Sequence, residues 1–440
     1  MIWLVDISRL VENLHLRTPT GIDRVEMAYV QHFLGRAGRE DVRFVVTWPY
    51  LTGILSDDYV RPVIEAAASR WSADGQDAAR DSTFVELRDV LCRPPAESNG
   101  RSALRVGGSD ARAGAGDWVR TAAIGAQSAG NRLSRRHLAA FRAEGACYVH
   151  VSQFRLNRPR RFSWLSAAAV RGVFFLHDLI PITHPEYCRP GEAGRHARRV
   201  DTMARHASVI IANSGFTRSS FEAHRAATGG TAPPCEVVPL GLSGLFLAPS
   251  AIAPIRTETP YFVVVGTIEP RKNLAFLLQV WHRWTRAGAS RRARLVVVGR
   301  RGWENENVLD LLERSIGLAP TVIEVATLSD AGMVALLRGA TALLAPSLVE
   351  GFGLPIAEAL ALGVPVIASD IEAHREVGGA FAQYVGPADG LGWMAALDDC
   401  IRPESERRPG RQAGRENYKP TSWSDHMARV EDIVARIGTS

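Results

Sequence analysis

Lysine is nearly absent from this chain. Of 440 residues only Lys272 and Lys419 are lysine, so arginine supplies almost all of a net charge of +6. An excess of that size is modest for this length, and the arginine bias reads as composition, not as a nucleic-acid signature. The surplus positive charge suits a meeting with anionic lipid or with diphosphates; it also fits ordinary surface charge. Cysteine is sparse as well. Cys92, Cys147, Cys188, Cys235 and Cys400 are scattered, odd in number and never spaced C-x-x-C. That argues against a disulfide framework or a zinc site and fits a reducing cytosol. No run of about 20 apolar residues occurs, so no transmembrane helix is expected. The opening Met1–Val5 is too short for a signal core and is followed at once by Asp6.

What is present is enough apolar residue, 46%, to fill full cores, and enough length for two or three domains. Short β-branched or aromatic runs recur between helix-like segments: Ile2–Asp6, Val42–Thr47, Cys147–Val151, Gly172–Leu176, Ser208–Ala212 and Cys235–Leu240. This alternation predicts parallel sheets with ligand sites at the C-terminal ends of the strands. A loop, 17–21, leads into a helix over Ile22–Leu34. From Arg93 to Arg136 the chain is rich in Gly, Ala, Ser and Arg, with little periodicity; it reads as an insertion or a mobile segment. The Pro/Ala/Ser stretch 248–254 marks a boundary. Beyond it Tyr261–Val265, Ala293–Val298, Thr321–Val325, Thr341–Ala345 and Val364–Ala368 repeat the pattern. The expected fold is α/β, with two doubly wound domains facing one another across a cleft. The first domain covers 1–250, the second 256–420, and an amphipathic segment at 421–440 forms a last helix.

The most informative stretch is Glu350-Gly351-Phe352-Gly353-Leu354-Pro355-Ile356-Ala357-Glu358. Two carboxylates bracket a glycine-rich turn from strand to helix. Gly351 and Gly353 let the backbone approach a ligand, and Pro355 suits the first helical position. Free amides at the helix start favour an anion such as a diphosphate. The carboxylates can accept from sugar hydroxyls. The bland alternative is a helix start with a dipole-favoured Glu358 and a solvated Glu350. A second stretch, Gly266-Thr267-Ile268-Glu269-Pro270-Arg271-Lys272-Asn273, follows a strand and places two cations beside a helix start. Arginine can grip phosphate with two hydrogen bonds, while lysine is a compact point charge. One of the two lysines stands here. Leu176-His177-Asp178 puts a His–Asp pair at a strand's C-terminal end, with His184 and Glu186 nearby. Thr18-Pro19-Thr20-Gly21-Ile22-Asp23-Arg24 occupies the turn after the first strand, where phosphates approach in such folds. There Arg24 either helps or pairs with Asp23 or Glu26.

The stretch from Glu350 to Glu358, continued by Ala359–Ser369, resembles the E-x7-E signature of the retaining, family-4 glycosyltransferases of GT-B fold. Gly266–Asn273 is similar to that family's donor-diphosphate loop, although Thr267 stands where some members carry arginine. His177-Asp178 resembles the family's His-Asp element near the reacting sugar, and the Gly21 loop the one that closes over the donor phosphates. Gly299–Trp303 and Val325–Asp330 match loops that flank the base, Asn213–Thr217 resembles an "SxFT" helix start, and Trp423 stands where an aromatic marks the last helix's return to the first domain.

The resemblance implies an enzyme that moves a hexose, with retention, from a nucleotide-diphosphate sugar to a hydroxyl of a glycan or lipid-linked acceptor in surface polysaccharide biosynthesis. Mannose from GDP-mannose is the best match among donors, with dTDP-rhamnose and UDP-hexoses left open. The implied catalytic set is His177, Asp178, Glu350, Arg271 and Lys272. The implied donor site is Gly21, Gly266, Arg271, Lys272, Glu350, Gly351, Phe352, Gly353, Leu354 and Glu358, with Glu350 on the hexose and Glu358 on the ribose. Attack comes from the face the leaving group departs, and the leaving phosphate accepts the proton. No D-x-D triplet is present, so no metal and no cofactor is expected, and protein cations meet the charge. The expected location is cytoplasmic, with peripheral contact at an anionic membrane and no nucleic acid. Two other readings stand beside it: a nucleotide-sugar epimerase on the same fold, and a non-enzymatic polyanion-binding protein.

Overall fold

The computed structural model describes residues 1–14, 19–38, 40–73, 77–93, 103–107, 115–230, 232–248, 252–288, 293–402 and 417–438. They build two seven-stranded sheets, each within its own compact unit. In the first unit, β1 (Ile2–Asp6), β2 (Val42–Thr47), β3 (Thr52–Ser56), β5 (Ala146–His150), β6 (Arg171–Leu176), β7 (Ala207–Ala212) and β8 (Cys235–Val237) lie in the order β3-β2-β1-β5-β6-β7-β8. Only the β2–β3 pair is antiparallel. The second sheet holds β4 (Leu104–Val106), β9 (Tyr261–Val265), β10 (Arg294–Val298), β11 (Val322–Val325), β12 (Ala342–Ala345), β13 (Val366–Ser369) and β14 (Gln383–Val385). Its order is β14-β13-β12-β9-β10-β11-β4, parallel throughout.

Strands covered on both faces read as unbroken apolar runs, and β1 and β10 are buried at every position. Leu4, Tyr148, Phe174, Leu176 and Ile210 are central to the core of the first unit. In the second, Trp281 and Trp284 on the helix Leu274–Arg286 pack on Phe262. Three residues apart, they share a helix face. Each indole N–H is satisfied, by Thr321 Oγ1 at 3.1 Å and by Asp398 Oδ1 at 2.8 Å. Truncating either to alanine costs about 3–5 kcal/mol.

The units are not contiguous in sequence. The first comprises 1–73, 111–241 and 423–440, and the second 74–110 and 242–422. The expectation gave 1–250 to the first domain, and the structure assigns 74–110 to the second. The reason is local and physical. Leu104–Val106 adds β4 to the edge of the second sheet beside β11. Asp81 caps the helix Ser82–Cys92 through Thr83 N at 3.0 Å and Phe84 N at 3.2 Å, while its other oxygen accepts from Ser329 N at 2.7 Å. Of the segment 93–136 read as an insertion, 94–102 and 108–114 lie outside the described residues. The remainder includes β4 and the helix Ala115–Gly130, so it is structured. The boundary stretch 248–254 is described only in part.

The last helix, Trp423–Gly438, belongs to the first unit. It buries His426, Met427, Val430, Ile433 and Val434. His426 ties it down: Nδ1–H donates to Pro239 O at 2.7 Å and Nε2 accepts from Tyr29 Oη–H at 2.8 Å. A Cβ on Gly241 would lie 2.6 Å from the Trp423 backbone, so only glycine permits this approach.

Candidate active site

The loops leaving β9 and β12 flank the point where the second sheet changes winding direction, with β10 on one side of β9 and β12 on the other. Connections depart oppositely from such neighbours and open a crevice at the strand ends. A pocket lies there, lined by Gly266, Thr267, Lys272, Ser347, Glu350, Gly353 and Pro355 over a floor of valine, leucine and isoleucine.

The first loop is shaped by glycine and pinned from the side. Gly266 has φ 144, and a Cβ on it would lie 3.0 Å from Lys272 Cε, so glycine is what lets the lysine stem pass. Ile268 N–H donates to Arg300 O at 2.8 Å, and Ile268 O accepts from Gly302 N at 3.0 Å and from Asn305 Nδ2 at 2.9 Å. A short turn, Pro270–Lys272, ends at Asn273 in left-handed backbone, whose amide donates to Pro387 O at 2.9 Å. Leu348 N–H donates to Arg271 O at 2.8 Å and joins this loop to the one after β12.

The charged groups then meet. Glu350, 7% exposed, accepts from Arg271, from Lys272 and, at 2.7 Å, from Ser347 Oγ. Arg271 Nε also pairs with buried Glu269 at 2.5 Å. Burial pushes the Glu350 carboxyl up, but the Arg271 and Lys272 charges, with His374 behind them, outweigh it and hold it well below the usual carboxylate range. Glu269 goes the other way. Its burial prevails over the same two cations and raises it. The site is therefore an ionised carboxylate that can accept from hydroxyls, beside two cations that a diphosphate would share with it.

The expectations at the helix start need correcting. The helix runs Leu354–Ala361, so Pro355 is its second residue, not its first. Gly353 caps it with φ 104. Pro355 has no N–H, and Ile356 N–H donates to Gly353 O at 2.9 Å. The first turn thus has fewer amides left for an anion than the sequence pattern suggested. Phe352 is buried, as is Glu358 one turn into the helix; Glu358 is not among the pocket-lining residues.

Gly21, His177 and Asp178 lie on the first unit. Gly21 opens the helix Gly21–Arg36, capped reciprocally by Thr20 and Asp23. Residues 17 and 18 of its loop lie outside the described residues. Asp23 takes Arg9, Nε to Oδ1 at 2.7 Å, and Asn13 at 2.8 Å. His177 follows β6, is buried, and donates from Nε2 to Val151 O at 2.8 Å. Burial pulls its pKa down to about 4, so it is neutral at physiological pH. Asp178 stands two residues before the next short helix, Ile180–Thr183, and its Oδ1 accepts from Ile180 N at 3.0 Å. Arg301, in the loop matched to a base-flanking one, is committed to Glu324 by two hydrogen bonds of 2.7 Å and to Glu313. The backbone on either side of it, Arg300 O and Gly302 N, holds Ile268 of the Gly266 loop.

The sequence reading missed His374 and the burial of Glu269. His374 follows β13, is 1% exposed and donates from Nδ1 to Ser369 O at 3.0 Å. Its Cδ2 lies 3.3 Å from where a Gly353 side chain would begin. Burial lowers its pKa, with Lys272 adding and Glu350 opposing. Its position just past a strand's C-terminal end, one strand over from Glu350, was the available signal.

Residues 250–387, which include both loops, match the family model described as Glycosyl transferases group 1. The chain is a glycosyltransferase. The O-antigen chain mannosyltransferase B of Escherichia coli is 27% identical to it over 311 residues, 62% of this chain and 77% of that one. The serotype-specific mannosyltransferase WbdA of Escherichia coli is 28% identical over 262 residues, 55% of this chain. The glycosyltransferase thus spans about three quarters of the first relative and 32% of the second. Its fold is GT-B: the structure of HepE from Anabaena in complex with UDP and glucose superposes with a TM-score of 0.62 at 15% identity, covering 99% of this chain and 100% of that one. Among its described residues no helix is long and apolar enough to cross a membrane.

Proposed function

We propose that the enzyme transfers mannose, with retention, from GDP-mannose to a hydroxyl of a glycan or lipid-linked glycan in the building of a surface polysaccharide. The observation that carries the reading is the Glu350–Arg271–Lys272 cluster at the switch point, inside the region matched to the glycosyltransferase domain. The names of its relatives, O-antigen and serotype-specific mannosyltransferases, support the sugar and the pathway class.

In this reading a diphosphate enters between Lys272 and Arg271, and Glu350, ionised at any physiological pH, orients the hexose by accepting from its hydroxyls. The leaving phosphate gains charge as the sugar–oxygen bond breaks. Cations already fixed by buried partners stabilise it without reorganising. The same phosphate takes the proton of the attacking hydroxyl. Glu358 is assigned to the ribose, and His177 contacts the sugar as an uncharged imidazole. The positive surplus of the chain favours a peripheral encounter with an anionic membrane that carries the acceptor. A thermal-shift panel tests the donor: GDP should raise the melting temperature more than UDP or dTDP at equal concentration, since tighter binding stabilises by mass action. Equal shifts for all three would remove the guanosine assignment.

A further inference from the structure

The first sheet has a switch point of its own, between β1 and β5, and the loop leaving β5 there is strained. Gln153 has φ 57 and Arg155 φ 62, left-handed values at two residues that are not glycine. Such backbone is unfavourable and persists only where its surroundings impose it; it gathers at ligand sites. Here Val151 O accepts from His177 Nε2–H at 2.8 Å, and Arg155 reaches Glu12 at 3.3 Å while its guanidinium lies 4.9 Å from the Phe154 ring centre.

Among the described residues, three buried polar atoms of the held segment have no hydrogen-bond partner: His150 Nε2, Ser152 Oγ and Gln153 Nε2. Their side chains are on residues 0%, 4% and 7% exposed. Unpaired buried polar groups are costly and rare, and three within four residues at a sheet's ligand edge call for a partner that the described residues do not provide. Their chemistry narrows that partner. Tyr148 Oη–H donates to Asp6 at 2.8 Å, so His150 Nδ1–H donates to Tyr148 Oη at 2.9 Å and only Nε2 is left open. Gln153 Nε2 can only donate; Ser152 Oγ can do either. A hydroxyl both donates and accepts, and so can meet each kind of atom. A cation has no use for the amide hydrogens.

We propose that Ser152 and Gln153 form a binding site for sugar hydroxyls, with the Gln153 amide as a specificity-determining donor. The proposal rests on the reading of the chain as a sugar transferase. The hydroxyl belongs either to the acceptor glycan or to the donor hexose.

Gln153→Leu tests it, because leucine removes the amide at similar volume and leaves the backbone strain in place. Urea unfolding and the KM of each substrate are measured. The variant should unfold at the same or higher urea, since an unpaired buried amide is gone, while the KM of one sugar substrate rises at least tenfold. A rise for acceptor assigns the site to the acceptor; a rise for donor, with free GDP binding unchanged, assigns it to the hexose. Wild-type KM for both overturns the proposal and leaves the amide to a buried water. If Gln153→Leu does not fold, Gln153→Gly, which relieves the left-handed strain, is judged by the same criteria. If the wild-type enzyme transfers no sugar, the transferase reading has failed separately. A thermal-shift panel of methyl glycosides then decides: a shift lost in the variant upholds the site, and no shift with any glycoside overturns it.

Discussion

Replacing Lys272 with alanine separates what this residue does for the fold from what it does for the reaction. In the folded enzyme its ammonium pairs with Glu350, a carboxylate 7% exposed, and the lysine side chain itself is 17% exposed. Removing one partner of a buried pair is worth roughly 3–5 kcal/mol when the remaining charge is stranded. Here Arg271 and Ser347 still hold Glu350, so the loss of stability should be smaller, about 1–3 kcal/mol. The catalytic loss has another origin. One preorganised charged donor aimed at developing negative charge is worth about 2.7–4 kcal/mol, a factor of about 10²–10³ in kcat. Initial rates at saturating donor and acceptor, measured well below the melting temperature, give the second quantity; urea unfolding gives the first. A folded Lys272→Ala enzyme with kcat within about threefold of wild type would refute the assignment of Lys272 to the leaving phosphate.

Glu358→Gln should weaken free GDP in calorimetry by about tenfold, whereas Glu350→Gln should slow transfer and leave GDP binding intact or tighter, because it frees Arg271 and Lys272 for the diphosphate; unchanged GDP affinity in Glu358→Gln would sink the ribose role. Gly266→Ala should lower kcat/KM more than stability, since its φ of 144 is strained for alanine and the new methyl would stand 3.0 Å from Lys272 Cε; wild-type kinetics would show that the lysine's path does not matter. Acid should loosen the C-terminal helix through His426. Burial lowers its folded pKa to about 4, below the unfolded value near 6.5, so the unfolded state takes up the proton first. The contribution, about 3 kcal/mol at most, is complete above pH 6.5 and is lost as pH falls toward 4. The urea midpoint should fall less steeply over that window in His426→Gln, and equal slopes would contradict the linkage.

Much of this was legible in the sequence because strands buried on both faces write themselves as continuous apolar runs. Ile2–Asp6, Val42–Thr47 and Tyr261–Val265 were read with the bounds they have. The Glu350 and Lys272 loops were legible because glycine, proline and charge stand where strands end. The crossing of residues 74–110 was not. β4 is three residues long with two of them exposed, and its reason to exist is a partner strand more than two hundred residues away. A pairing of that range leaves no local period. The helix start at Leu354 was misplaced by one residue because the left-handed Gly353 does the capping, and proline serves the second position as well as the first. Glu269 stands in the Gly266–Asn273 stretch with no role read for it; that it is buried against Arg271 follows from the fold of the loop, not from its spelling. The strained Gln153 carried no signal, since glutamine is not a residue that announces left-handed backbone.

The central claim is a retaining mannosyl transfer driven from the Glu350–Arg271–Lys272 cluster. Its most direct test is to incubate the purified enzyme and a glycan acceptor with GDP-mannose, in parallel with dTDP-rhamnose and UDP-glucose, and to read the new linkage by NMR. One GDP should be released per mannose transferred, with the anomeric configuration of the donor kept in the product. Inverted configuration, or transfer from another donor in place of GDP-mannose, would contradict it.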